Sequence, residues 1–194
     1  MRLEENFRLY DQLLPRSGNI LDLGCGYGYI TYMLMLTSDE RNLTGVDYDQ
    51  EKIIVAQNGY LRNKRIEFIH CNISEYPFTL QDGILLGDVL HYLPPDSQVT
   101  LIQSCMQNLK AGGVLLIREG NADLHNRHKR TRFSEFLSTR ILQFNKTNKD
   151  QKKLWFISSE EVKRVAQSKG LECTIIDQGK RSSNIFIVIS KPTT

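Results

Sequence analysis

Residues 20 to 28 read Ile-Leu-Asp-Leu-Gly-Cys-Gly-Tyr-Gly, and this run narrows the fold more than any other in the chain. Ile20, Leu21 and Leu23 make a short apolar strand. Three glycines at spacing two follow at once, and Tyr29, Ile30, Tyr32, Met33 and Leu34 resume at helical spacing. Strand, glycine turn, helix is how an α/β sheet presents bare backbone to a ligand at a strand's carboxyl end. A Cβ in such a turn would block the ligand and disfavour the tight backbone.

The rest of the chain keeps the alternation that a doubly wound sheet requires. Leu3, Phe7, Tyr10 and Leu14 predict an amphipathic leading helix that stops at Pro15. Strand signals at 43–46, 66–69, 83–86 and 114–117 are interleaved with helices expected over 29–36, 50–60 and 97–110, the last ending at Gly112-Gly113. Ser158-Ser159-Glu160-Glu161 caps a late helix to about Lys169, and 172–177 and 183–190 read as two closing strands. The length of 194 residues and 40% hydrophobic content suit one domain spanning 1–194. No apolar run approaches the ~20 residues of a membrane span, and no signal peptide precedes the first helix. Cys25, Cys71, Cys105 and Cys173 lie singly, without ligand spacing. That predicts no metal site and reduced thiols in a cytoplasmic setting.

A dinucleotide fingerprint wants glycines at its first, third and sixth positions; here the sixth is Tyr29. Asp22-x-Gly24-x-Gly26-x-Gly28 instead resembles motif I of the class I S-adenosyl-L-methionine (SAM) methyltransferases. The resemblance implies a Rossmann-like, doubly wound seven-stranded sheet with an antiparallel last strand and helices on both faces. It also implies a loop that wraps the aminoacyl end of SAM, with Asp22, Gly24, Cys25 and Gly26 as contacts and S-adenosyl-L-homocysteine (SAH) as product. Asp47, ending the second strand, would bind the ribose hydroxyls, an arrangement that suits any adenosine ligand. Its plainer alternative is an N-cap for the helix beginning near Gln50. Tyr48 would lie against the adenine. Family members usually carry Gly-Asp-Ala at 71–73, where this chain has Cys71-Asn72-Ile73; Asn72 can still accept from the adenine amine and donate to a ring nitrogen.

Gly87-Asp88-Val89-Leu90-His91-Tyr92-Leu93-Pro94 resembles motif IV of the small-molecule branch of that family. His91 is the candidate general base for a hydroxyl or phenol acceptor, Asp88 would orient it or bind the cofactor with Gly87, and Tyr92 would line the acceptor pocket. Tyr10 could close over the cofactor or serve as an ordinary core aromatic. A helix-start histidine with no catalytic duty is the alternative for His91, and His125 and His128 are further candidates. Residues 119–156 form a long insertion, expected as a helical lid over the acceptor. From His125 to Lys153 it holds nine Lys or Arg against two acids in a chain whose net charge is +3, so the remainder is net acidic. Phe133, Phe136, Leu137, Ile141, Leu142 and Phe144 thread it, an amphipathic pattern suited to an anionic membrane surface as well as to a lid. The run 87–94 and this basic stretch resemble methyltransferase modules of bacterial lipid-processing chains, which implies a small-molecule, lipid-like or aromatic acceptor and membrane association within a larger chain. The absence of an Asn-Pro-Pro-Tyr-type motif speaks against nucleic-acid bases as acceptors. The rival readings are a catalytically silent SAM-binding scaffold and an NAD-linked oxidoreductase. For the latter the nearest Tyr/Lys pair, Tyr60 and Lys64, lies in the wrong part of the fold.

Overall fold

The computed structural model describes residues 2–59, 63–120, 154–177 and 184–193. In chain order these form α1 (Arg2–Leu13), β1 (Gly18–Leu23), α2 (Tyr29–Thr37), β2 (Arg41–Asp47), α3 (Gln50–Gln57), β3 (Ile66–His70), β4 (Gln81–Gly87), a 3-10 turn (Leu90–Tyr92), α4 (Pro95–Gln107), β5 (Leu109–Gly120), α5 (Ser159–Ser168), β6 (Glu172–Asp177) and β7 (Asn184–Ser190). The strands make one sheet in the order β3-β2-β1-β4-β5-β7-β6. β1 to β5 pair in parallel, whereas β7 runs antiparallel to both β5 and β6. The expected seven-stranded sheet with an antiparallel last strand is therefore present. Strand order reverses between β1 and β4, and the crevice at their carboxyl ends is where such sheets bind ligands.

Alternation along each strand sorts side chains to two faces. Leu21, Leu23, Ile84, Leu86, Leu115, Ile117 and Ile187 pack with residues of α4 and α5. Ile20, Leu43, Leu85, Leu116 and Phe186 pack with Phe7, Tyr10 and Leu14 of the leading helix and Leu34 and Met35 of α2. α3 covers the β3 side of that second face by placing Ile53 and Ala56 on Phe68.

Two boundaries differ from the sequence expectation. α4 begins at Pro95, whose fixed φ suits a first helical position, and ends at Gln107. β5 then starts at Leu109, with Leu109 opposite Gln81 and a register shift before Gly83 meets Val114. The glycines expected to stop a helix lie instead inside this strand, where Gly112 has φ +74°. Glu119 likewise belongs to β5 and not to the insertion. Most of the expected lid, 121–153, with His125, His128 and the basic stretch, lies outside the described residues.

At the opposite end of the sheet from the crevice, Arg41 is fully buried. Its Nε donates to Pro15 O at 2.8 Å, Nη1 to Asp11 Oδ1 at 2.7 Å, Thr37 Oγ1 at 3.0 Å and Leu34 O at 3.2 Å, and Nη2 to Asp11 O at 3.1 Å and Leu14 O at 3.4 Å. One guanidinium thereby fastens the end of α1 to the end of α2 and to β2.

Candidate active site

The three loop glycines all have left-handed backbone, with φ of +80° at Gly24, +55° at Gly26 and +75° at Gly28, but their surroundings differ. A Cβ on Gly24 would come within 2.5 Å of Val89 Cγ2, and one on Gly28 within 2.5 Å of the Phe68 ring. A Cβ on Gly26 would meet nothing within 4 Å. Gly24 and Gly28 are thus dictated by the protein's own packing. Gly26 faces open space, where a ligand can approach backbone.

Asp47 is buried at the end of β2 and organises this loop. Its Oδ2 accepts from Gly26 N at 2.8 Å and its Oδ1 from Asp49 N at 2.9 Å. The N-cap of α3 is Asp49, which accepts from Glu51 N at 3.1 Å and Lys52 N at 3.3 Å, so the capping alternative for Asp47 falls away. A carboxylate has about four acceptor positions, and among the described residues two on Asp47 are unused. Asp22, buried beside it on β1, accepts from Thr31 Oγ1 at 2.6 Å. Burial pushes its carboxyl up to about 6, with Asp47's charge adding and the Thr31 hydroxyl opposing. A cation arriving here would draw Asp22 back to its ionised form.

Tyr48 is largely exposed beyond Asp47, a surface on which a base can stack. Its carbonyl accepts from His70 Nε2 at 2.9 Å, which pins the loop after β2 to the end of β3. Asn72 serves a local turn. Its Oδ1 accepts from Ser74 N at 3.1 Å and its Nδ2 donates to Glu75 Oε1 at 3.2 Å, leaving one further acceptor position and one further hydrogen. Ile73 is buried beneath. Cys25 packs its sulfur toward Gly45, and burial holds its thiol well above the usual range, as suits a packing residue and not a nucleophile.

Across the crevice, β4 ends at Gly87, where a Cβ would lie 3.4 Å from the Tyr10 hydroxyl. Tyr10 is buried and stands edge-on to Phe186, with ring centroids 5.3 Å apart. Burial raises its phenol, while Arg118 pulls the other way. Tyr10 is thus a core aromatic of α1 whose hydroxyl lies beside the end of β4. Asp88 has φ +54°, rare outside glycine but tolerated by Asp. Its carboxylate is ion-paired with Arg118 Nη1.

The expectation that Asp88 orients His91 is corrected here. The carboxylate on His91 Nδ1 is Glu119, at 2.7 Å, and both side chains are buried. Glu119 also accepts from Gly120 N at 3.0 Å and His91 N at 3.3 Å. Three N–H groups converge on this carboxylate. Where an ionised carboxylate faces a neutral ring, the carboxylate only accepts, so the contact selects the tautomer with the hydrogen on Nδ1 and the lone pair on Nε2. Nε2 is buried and, among the described residues, has no hydrogen-bond partner. A buried acceptor in that state costs about 1–3 kcal/mol, a cost that a ligand's O–H would relieve. The ring lies 4.2 Å from Tyr92 and 6.1 Å from Phe156, centroid to centroid. Trp155 N donates to His91 O at 3.0 Å, and Gln98 Nε2 lies 2.8 Å from Trp155 O and 2.9 Å from Leu90 O and Leu93 O. Gln98 thus ties the turn at 90–92 to the segment around Trp155. Among the described residues no cluster of His, Cys, Asp or Glu could hold a metal ion, and no helix is long and apolar enough to cross a membrane.

Residues 20–113 match the model of a family described as methyltransferase domain. Among curated proteins, carboxy-S-adenosyl-L-methionine synthase of Shewanella amazonensis is 27% identical over 114 residues, covering 56% of this chain and 47% of that protein. The Campylobacter concisus protein of the same name is 28% identical over 115 residues, covering 59% of this chain and 49% of its own. The chain spans about half the length of these curated relatives. Human N-acetylserotonin methyltransferase, solved with SAM, superposes with a TM-score of 0.72 at 19% identity, covering 97% of this chain and 52% of that one. The N-methyltransferase NodS of Bradyrhizobium japonicum, solved with SAH, gives 0.69 at 18% identity, covering 98% and 87%. The likeness to these two shows a shared fold.

Proposed function

We propose that this chain, which carries a methyltransferase domain on the class I fold, transfers the methyl group of SAM to a hydroxyl-bearing small molecule, lipid-like or aromatic in character. The crevice fits the donor. Gly26 leaves backbone bare, Asp47 keeps two acceptor positions for a ribose, Tyr48 offers a stacking face, and Asp22 places a carboxyl where a cationic aminoacyl end is favoured. When bound, SAM supplies an electrophilic methyl group on a sulfonium. The protein's own part is to align and desolvate the acceptor and to take its proton.

The observation that carries the proposal is His91. Glu119 fixes its tautomer and balances the imidazolium that forms, and Nε2 is a buried lone pair awaiting a donor. Methyl-labelled SAM incubated with the protein and a bacterial extract, then partitioned between organic and aqueous phases, tests this. Label in an organic-soluble product, lost ~10²-fold or more with His91→Ala while SAH binding persists, is expected. A silent scaffold would bind SAH and yield no product. The curated relatives' name raises a second reading, in which SAM itself is carboxylated; mass analysis of the nucleoside fraction separates it from methyl transfer. A lipid-like acceptor would also give the basic stretch at 125–153 an anionic membrane surface to meet.

A further inference from the structure

Arg118 has an interaction left over that neither the fold nor proton transfer uses. It stands on β5 opposite Gly87 on one side and Phe186 on the other, on the sheet face covered by α1. Among the described residues its guanidinium makes one ion pair, through Nη1, with Asp88. Its Nε is buried and has no acceptor among those residues. A guanidinium presents parallel N–H pairs along its edges, and the Nε/Nη2 edge matches the two oxygens of a carboxylate. Asp88 occupies the far nitrogen and leaves that edge free. A buried charged donor without an acceptor is costly to keep, and a structural Arg–Asp pair would gain by using the edge it leaves empty. Asp88, half exposed and in left-handed backbone, holds the guanidinium from its solvent side.

We infer that the free Nε/Nη2 edge of Arg118 is a carboxylate-binding subsite of the crevice, with Asp88 restraining the guanidinium until a ligand carboxylate docks. The inference rests on the reading of the crevice as a SAM site. The carboxylate belongs either to the aminoacyl end of the donor or to an acidic acceptor. Arg118 lies beside Tyr10, Gly87 and Asp88, at the border of the donor and acceptor halves.

Titration calorimetry on the full chain distinguishes the sources. The probes are SAH, 5′-methylthioadenosine (the same thioether nucleoside without the amino-acid end) and, on SAH-saturated protein, 4-hydroxybenzoate against phenol. A charge-assisted two-bond contact corresponds to about tenfold to hundredfold in affinity. If the carboxylate is the donor's, Arg118→Gln weakens SAH by that factor and leaves 5′-methylthioadenosine unchanged. If it is the acceptor's, the variant keeps SAH and loses its preference for 4-hydroxybenzoate over phenol. Asp88→Asn, which keeps a residue tolerant of left-handed backbone, frees the guanidinium and tightens the carboxylate probe several-fold, an effect a structural ion pair would not produce. A well-folded Arg118→Gln that changes none of these affinities overturns the subsite and leaves the SAM reading standing. Wild-type protein that binds neither nucleoside overturns both.

Discussion

Replacing Arg41 with Ala should destabilise the chain severely although the residue lies at the far end of the sheet from the crevice. Arg41 is fully buried, and all three guanidinium nitrogens are engaged. The variant loses the ion pair to Asp11 and strips the donor from carbonyls of Pro15, Leu14 and Leu34. Removing one partner of a buried charged network costs about 3–5 kcal/mol, and a domain of this size shifts its Tm by about 2–4 °C per kcal/mol. A drop of about 10 °C, with a urea midpoint lowered at unchanged slope, is expected. Arg41→Lys should recover part of the loss, since an ammonium has three donors but no fork. The pH dependence adds a second signature. Burial pushes the Asp11 carboxyl up, but the bonds from Thr37 and Arg41 outweigh it and hold it below the usual range. Asp11 therefore contributes stability above about pH 4, its unfolded value, and that share is lost as pH falls through the lower folded value. The gap between wild type and Arg41→Ala should narrow in acid. A loss under about 1 kcal/mol, or a gap that widens below pH 4, would refute the account.

Other outcomes follow from the crevice. Glu119→Gln should fold, keep SAH affinity and keep the Nδ1–H tautomer read by two-bond 1H–15N correlation, yet slow turnover ~10²-fold because the imidazolium loses its counter-charge; unchanged turnover would reduce Glu119 to a structural brace. Asp22, raised to about 6 by burial first, holds its proton longer folded than unfolded. It should therefore cost apo stability as pH rises from about 4 to about 6, a slope that Asp22→Asn removes. SAM affinity should fall below about pH 6 in the wild type and be flat in that variant; parallel pH profiles would exclude the role. Gly26→Ala should cost stability about 1 kcal/mol for its left-handed backbone and abolish SAH binding, whereas Gly24→Ala should impair folding itself through Val89. Equal effects of the two on folding and binding would contradict the different surroundings of these glycines.

The elements of the cofactor half were legible because each rests on local chemistry. A strand ending in an acid and a glycine turn needs only a dozen residues of context, and Ser158 accepting from Glu161 N at 3.4 Å is a cap visible as spacing. In the acceptor half the carboxylate on His91 was not legible, because it is distant in sequence. Asp88 sits three residues from His91 and looked like its orienting acid, but strand alternation decides otherwise. Arg118 and Glu119 are adjacent on β5 and so point to opposite faces; Arg118 takes Asp88 on the α1 side, and Glu119 meets His91 on the other. No local pattern announces a bond across 28 residues. Glu119 was further hidden by the assignment of its segment to the insertion, since an acid followed by glycine after an apolar run reads as a strand's end.

The position of β7 also has a consequence for biosynthesis. It is the last strand of the sheet in sequence, yet it lies between β5 and β6. A growing chain that has released β5 but not residues 184–190 presents an unpaired apolar strand edge, a template for intermolecular association. At about 5–20 residues per second, the interval from β5 to β7 lasts several seconds. During that time β5, which carries Arg118 and Glu119, has a partner on one side only. Slow translation through 121–183 should therefore depress soluble yield far more than slow translation through the first hundred residues.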